Sequence, residues 1–309
     1  MQEIRMNPYF ILVIGVISVS TSAILVKVSS SDAGIIAFYR LLFTILLMSP
    51  VFLLKYRNEL KSITIRDWGF TTAAGFFLAF HFILWFESLN YTSVASSTVL
   101  VTLQPLFAFA GTYLFFKEKF SKTALLSALL AIGGSIIISW GDFRISGMAL
   151  WGDLLALLAC ALVTAYLLFG QNVRKRISLI TYTFIVYLMS TIVLFLYVLI
   201  KGEKLGPYPK EEWIYFILLA IIPTLLGHTL FNWSLKWLST STISMAILFE
   251  PIGASILAYY LLSEAVIMSQ VIGGGIILLG IYIFVREERR IKKRSALGVK
   301  VDENNGECL

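Results

Sequence analysis

Hydrophobic positions along the chain gather into long blocks instead of alternating with polar ones. Ten segments of 18 to 24 residues are almost free of charge: 9 to 28, 33 to 54, 68 to 89, 93 to 116, 123 to 140, 150 to 170, 178 to 200, 213 to 234, 240 to 262 and 266 to 285. Together they hold 215 residues but only five charges, Lys27, Arg40, Glu87, Asp153 and Glu250, and the other 38 charges crowd into the remaining 94 residues. A helix rising about 1.5 Å per residue needs about 20 residues to cross about 30 Å of hydrocarbon. Unpaired backbone polar groups are so costly in lipid that each segment is predicted to be a helix. A membrane barrel would show strands of alternating polarity, and these segments do not. The chain therefore reads as an all-α polytopic membrane protein with ten transmembrane helices.

Composition agrees: of 309 residues 58% are hydrophobic and 14% charged, with a mean hydropathy of +0.85. A soluble domain carries about 25% charge. Charge placement then sets orientation. With both termini inside, the inner loops and tails hold 19 basic residues and the outer loops four, Arg144, Lys201, Lys204 and Lys210, so cytoplasmic termini are expected. The net charge of +7 thus reports topology, and no nucleic-acid partner is inferred from it. Residues 1 to 17 resemble a signal peptide, but the apolar run continues to Val26 and is kept as the first span. Residues 287 to 309 read as a basic, disordered cytoplasmic tail facing anionic membrane lipid. Cys160 and Cys308 form neither a disulfide framework nor a metal motif.

The chain also matches itself. A shift of 146 residues aligns the fourth and ninth spans without a gap, and seven of 35 positions between 85 and 119 are identical, including Pro105 with Pro251 and Glu118 with Glu264. Two halves of five spans each, an odd number, must enter the membrane from opposite sides. Inverted repeats recur in secondary transporters, which bind solute near the midplane between halves. The expected units are 1 to 146 (helices 1 to 5) and 147 to 286 (helices 6 to 10).

Several stretches carry a resemblance: His81-Phe-Ile-Leu-Trp-Phe-Glu-Ser-Leu-Asn-Tyr-Thr-Ser-Val-Ala-Ser-Ser97, Gln104-Pro105 with Lys117-Glu118-Lys119, Gly152 to Ala159, Gly227 to Leu235, Glu250-Pro251 and Leu262-Ser-Glu264. In these the chain resembles the EamA-type transporters of the drug/metabolite transporter superfamily across essentially all ten helices. The resemblance implies two inverted EamA repeats and movement of small solutes such as amino acids or related metabolites, often outward. It also implies a midplane cavity bounded by spans one, three, four, six, eight and nine. Lys117 departs from the family, which often has Gly there, so a less tight turn is expected.

Gln104-Pro105 and Glu250-Pro251 are repeat-equivalent and lie near the bilayer centre, where proline withholds a backbone bond from the carbonyls of Val101 and Ile247. These kinks make Gln104 and Glu250 the first candidates for substrate contact. A charge at the depth of Glu250 costs about 2.5 to 3.5 kcal/mol unless paired, solvated or neutral, so it is read either as a proton or ammonium site or as a protonated packing group. Arg40 either pairs with Glu87 or binds a substrate carboxylate. His81 with Trp85, and His228 with Asn232, share helix faces at i, i+4 spacing, and either line a cavity or hold histidines satisfied by bonds between helices. Tyr39 and Tyr166 are candidates, with Trp85, for stacking on a ring-bearing solute. Glu118 and Glu264 read as turn and capping residues.

The expectation is a secondary transporter of the cytoplasmic membrane that moves a small organic solute, an amino acid or related metabolite, outward by alternating access. Protons are a candidate co-substrate. No cofactor or metal is called for, and monomer and homo-oligomer stand equal. With no Walker A loop, zinc motif or nucleophile motif, an enzyme is not expected. The alternative is a receptor, assembly factor or lipid-handling protein on the same fold.

Overall fold

The computed structural model describes residues 6–92, 94–139, 147–262 and 266–296. Every regular element among them is helical. Among the described residues nine helices are long and apolar enough to cross a membrane: α1 (Pro8–Val28), α2 (Ala33–Ser62), α3 (Ile65–Ser88), α4 (Ser96–Phe116), α6 (Met148–Val173), α7 (Leu179–Lys201), α8 (Lys210–Ser234), α9 (Thr240–Leu261) and α10 (Met268–Ile291). Between them α5 (Lys122–Ile138) is apolar but slightly shorter. Trp140, Arg144, Glu264 and Cys308 lie outside the described residues.

Local sequence explains where the helices start and stop. Pro8 opens α1 behind Asn7, whose side chain accepts from the Tyr9 N–H at 3.0 Å. Thr64 caps α3 through the Asp67 N–H and donates its hydroxyl to the Asp67 carboxylate at 2.8 Å, a reciprocal cap. Gly202 ends α7 in the left-handed conformation at φ 70°. At the end of α4 the same conformation falls to Lys117, φ 56°, and the N–H groups of Lys117 and Glu118 close back on the carbonyls of Tyr113 and Thr112. The turn expected to be loose is therefore a closed helix cap, made without the usual glycine. Helix α10 continues to Ala296, past the expected start of the tail at 287. In that stretch Glu288 accepts from the Thr242 hydroxyl at 3.0 Å and Arg289 lies over the Tyr9 ring.

The main helix pairings all cross between the halves. α3 packs along α6, α1 along α8, α2 along α7, α5 along α10, and α4 against α9. Exchanging each helix for its counterpart five later reproduces the same list, which is what a pseudo-two-fold relation requires. The outward faces remain apolar: Ile65 is 93% exposed and Leu54 82%. Such large exposed hydrophobics in every span are what lipid contact demands.

Glycines set the closest approach to neighbouring backbone. A Cβ on Gly273 would stand 2.5 Å from the Gly134 carbonyl, and one on Gly134 2.7 Å from the Gly273 carbonyl. Helices α5 and α10 therefore touch backbone to backbone, as small residues allow in membranes.

Candidate functional site

Helices α4 and α9 are each interrupted at mid-length. The second piece of α4 is Gln104–Phe116 and that of α9 Glu250–Leu262, so Gln104 and Glu250 each begin a new helix. Pro105 and Pro251 thereby occupy the first helical turn, where a missing N–H costs nothing. The prolines stand at true helix breaks, a sharper disruption than a kink in a continuous rod. Each break presents a helix N-terminus, with its partial positive charge, to the middle of the protein.

A small cavity lies between these breaks. Its wall is formed by Val19 of α1, His81 and Trp85 of α3, Val101 and Gln104 of α4, Val163 and Leu167 of α6, His228 and Phe231 of α8, and Ile247 and Glu250 of α9. Its volume is about 20 Å³, close to the 10–15 Å³ that a single water needs. An organic solute requires the walls to move apart.

The polar groups here are unusually short of partners. Trp85 Nε1, Gln104 Oε1, His228 Nδ1 and Glu250 Oε1 are buried with no hydrogen-bond partner among the described residues. A buried polar group without a partner costs about 1 to 3 kcal/mol, so four of them around one void mark a place built for something polar. His81 is held differently. Its Nδ1 lies 3.0 Å from the Ala159 carbonyl; a carbonyl only accepts, so Nδ1 carries the proton and Nε2 is left as the acceptor. The His81 ring stacks on Trp85 at 5.7 Å between centroids and meets the His228 ring edge-on at 6.4 Å.

Helix α8 reaches the cavity through a widened turn. Around Pro223 the helix is of π type over Ala220–His228, and the Thr224 hydroxyl donates to the Leu219 carbonyl at 2.8 Å. Such insertions re-aim side chains and frequently mark functional sites. Here the turn sets His228 on the cavity wall and Thr224 against Arg40.

Arg40 is fully buried one layer behind His228. Its Nε donates to Thr224 Oγ1 at 2.7 Å, its Nη1 donates to Ser22 Oγ at 2.9 Å, and the guanidinium lies 4.3 Å over the Phe82 ring. Nη2 has no partner among the described residues. The expected pair with Glu87 does not form: Glu87 accepts instead from Asn90 and the Tyr91 hydroxyl, both at 3.4 Å.

Of the nine side chains singled out from sequence, the structure brings five onto the cavity wall: His81, Trp85, Gln104, His228 and Glu250. Asn232 and Tyr166 sit behind it and bond to each other, and the Asn232 amide also donates to the His228 carbonyl at 2.8 Å. Tyr39 is elsewhere, its hydroxyl donating to the Leu205 carbonyl at 2.6 Å and its ring packed on Phe216. It supports a loop and cannot stack on a solute in this cavity. Sequence reasoning named Val101 and Ile247 for their carbonyls but missed Val19, Val163, Leu167 and Phe231, which no local signal separates from other apolar positions. It also missed Arg174, whose Nε donates to the Asn232 carbonyl at 2.9 Å behind the site. Among the described residues no three His, Cys, Asp or Glu side chains converge as metal ligands would.

Comparison with known proteins gives a consistent picture. The model of the EamA-like transporter family matches residues 6–140 and again 150–286. An uncharacterized transporter of Archaeoglobus fulgidus is 23% identical over 278 residues, covering 89% of this chain and 95% of that one. The riboflavin transporter ImpX of Fusobacterium nucleatum is 25% identical over 197 residues, 62% of this chain and 65% of its own. A solved crystal structure shares the fold with a TM-score of 0.75 over 92% of this chain and 98% of its own, at 16% identity.

Proposed function

Because the chain belongs to the EamA-like transporter family, we propose that it is a secondary carrier that moves a small organic solute through the cavity between α4 and α9 by alternating access. The observation that supports this most is the meeting, inside a bilayer-spanning bundle, of two repeat-equivalent helix breaks with four orphaned polar atoms. Those atoms include donors and acceptors, and the His81, Trp85 and Phe231 rings offer flat faces beside them. We take the solute to be an amino acid or related metabolite, with Gln104 and Glu250 meeting its polar groups. Arg40 supplies a fixed positive charge one layer out. The basic loops support termini in the cytoplasm, the membrane is taken as the cytoplasmic one, and export is the direction proposed. Glu250 is the group through which protons would couple.

The test is uptake into proteoliposomes of the purified chain, screening labelled amino acids, with and without a pH gradient. Riboflavin joins the screen because one relative is named for it. Saturable flux of one solute, cut at least about tenfold by Gln104→Ala or Glu250→Ala as loss of one charge-assisted bond implies, supports the reading. Flux untouched by either change would remove the site assignment. No flux of any solute would favour the receptor or lipid-handling alternative.

A further inference from the structure

Among the carboxylates that tie one half of the chain to the other, four form two repeat-related pairs; Asp153, which accepts from the Thr92 and Ser96 hydroxyls at 2.9 Å, stands outside them. On the face that carries the start of α1 and the end of α10, Glu59, in the last turns of α2, receives the start of α7. The Ser178 N–H donates to it at 2.8 Å, and the Ser178 and Thr181 hydroxyls donate as well. Beside it Asp67, in the first turn of α3, holds Arg176 of the α6–α7 loop, with Nη2 at 2.5 Å and Nε at 3.1 Å.

The opposite face repeats this plan. Glu203 follows α7 and lies against the start of α2, within reach of the Ile35 N–H and so close to Gly34 that a side chain there would meet it. Glu212, in the first turn of α8, gathers the α1–α2 loop: it accepts from the Ser29 hydroxyl at 2.5 Å, the Ser30 N–H at 2.9 Å and hydroxyl at 3.0 Å, and the Ser31 hydroxyl at 2.8 Å. Glu59 and Glu203 are 144 positions apart, Asp67 and Glu212 145. The partner elements exchange in the same way, α7 for α2 and the α6–α7 loop for the α1–α2 loop.

Both pairs are formed at once, in keeping with the small cavity between them. Resting on the reading of the chain as an alternating-access carrier, we propose that these pairs are its two gates. Glu59 and Asp67 hold shut the face bearing the termini, Glu203 and Glu212 hold shut the other, and each step of the cycle breaks one pair while its counterpart stays formed. The chemistry suits the task. Carboxylates at the membrane surface exchange serine, arginine and backbone donors for water on opening, so the contacts are reversible in a way that dry packing at mid-bilayer is not. The internal symmetry makes the two gates alike in kind, which keeps the two open states close in free energy.

Thiol accessibility tests this without reading transport. In the full-length chain with Cys160→Ala and Cys308→Ser, a Val19→Cys substitution places the single thiol on the cavity wall. A membrane-impermeant maleimide is then added to right-side-out and inside-out vesicles, with the cysteine-free chain, with and without each gate substitution, as the blank. Glu212→Gln is expected to raise labelling about tenfold from the face opposite the termini only, and Asp67→Asn about tenfold from the terminal face only, the effect of losing a charge-assisted bond. Ser30→Ala with Ser31→Ala, and Arg176→Gln, should reproduce the two results from the other side of each contact if a carboxylate variant fails to fold. Labelling that rises from both faces together, from the wrong face, or from neither in folded protein overturns the assignment. A transport screen that fails leaves this readout unaffected, so the two proposals fall separately.

Discussion

Replacing Arg40 by Met separates a structural charge from a functional one. The guanidinium donates to Thr224 and Ser22 and stacks on Phe82. Two charge-assisted bonds are worth about 1.5 to 3 kcal/mol each, and a desolvated cation–π contact about 2 kcal/mol. Against this stands the burial of a charge with no ion-pair partner among the described residues, a penalty of several kcal/mol. Of the groups left behind, the Thr224 hydroxyl keeps its bond to the Leu219 carbonyl, and the small Ser22 hydroxyl loses the guanidinium it accepts from. The opposing terms are of equal size, so Arg40→Met should unfold within about 1 kcal/mol of the wild type, a shift in melting temperature of about 2 to 4 °C. Transport should meanwhile fall at least about tenfold, the effect of about 1.4 kcal/mol. Differential scanning fluorimetry in detergent and proteoliposome flux read the two quantities on one preparation. A stability loss above about 3 kcal/mol would show that the bonds outweigh the desolvation and refute the reasoning. Unchanged flux in folded protein would remove Arg40 from the proposed mechanism.

Other expectations are as direct. Gly273→Val drives a side chain into the Gly134 carbonyl and should cost about 1 to 3 kcal/mol or more, whereas Gly275→Val, with nothing within 4 Å, should leave the melting temperature within a degree or two. Lys117→Gly relieves a left-handed residue at φ 56° and should stabilise by about 1 kcal/mol in the same melt; a lower melting temperature would contradict the cap. Burial, and next Asp32, raise the Glu203 pKa above its ordinary 4.5; Glu87 adds to this, while Lys201 and the Ile35 N–H oppose it. The folded chain therefore holds that proton more tightly, and the stability it brings is full below the ordinary value and lost as pH rises through the raised one. Glu203→Gln should melt no lower than wild type at neutral pH and converge with it below about pH 4.5, and a variant that melts lower at neutral pH would refute the sign. Glu250→Gln should abolish any response of flux to an imposed pH gradient, and a retained response would exclude Glu250 as the coupling group.

Much of the architecture was legible because a bilayer imposes one-dimensional rules. Helix length, charge exclusion and the shared Pro105 and Pro251 are readable residue by residue, and they led to the spans, the repeat and the two helix breaks. Gln104 and Glu250 were singled out for that reason. Contacts that depend on which helices meet were not readable. Nothing near Glu212 in the sequence announces Ser29–Ser31, and the guess of an Arg40–Glu87 pair failed because Arg40 points to α1 and α8 rather than along the outer end of α3. Tyr39 failed similarly: its composition suits a binding ring, but α2 turns it towards the α7–α8 loop. The widened turn of α8 shows only as a lone Pro223, a signal shared with Pro50, which lies far from the cavity.

The pairing of helices across the halves bears on how the chain is made. Since α1 lies on α8, α2 on α7, α3 on α6 and α5 on α10, the first five helices leave the ribosome before their partners exist. Until the second half is inserted, the first must hold Arg40 and the polar face of α3 in lipid with the Thr224 bond still unmade. Assembly is thus a late event, gated by the synthesis of α6 to α10. A lone first half should be a poor substrate for folding and a good one for membrane proteases, while two halves supplied as separate chains carry every contact they need to find each other.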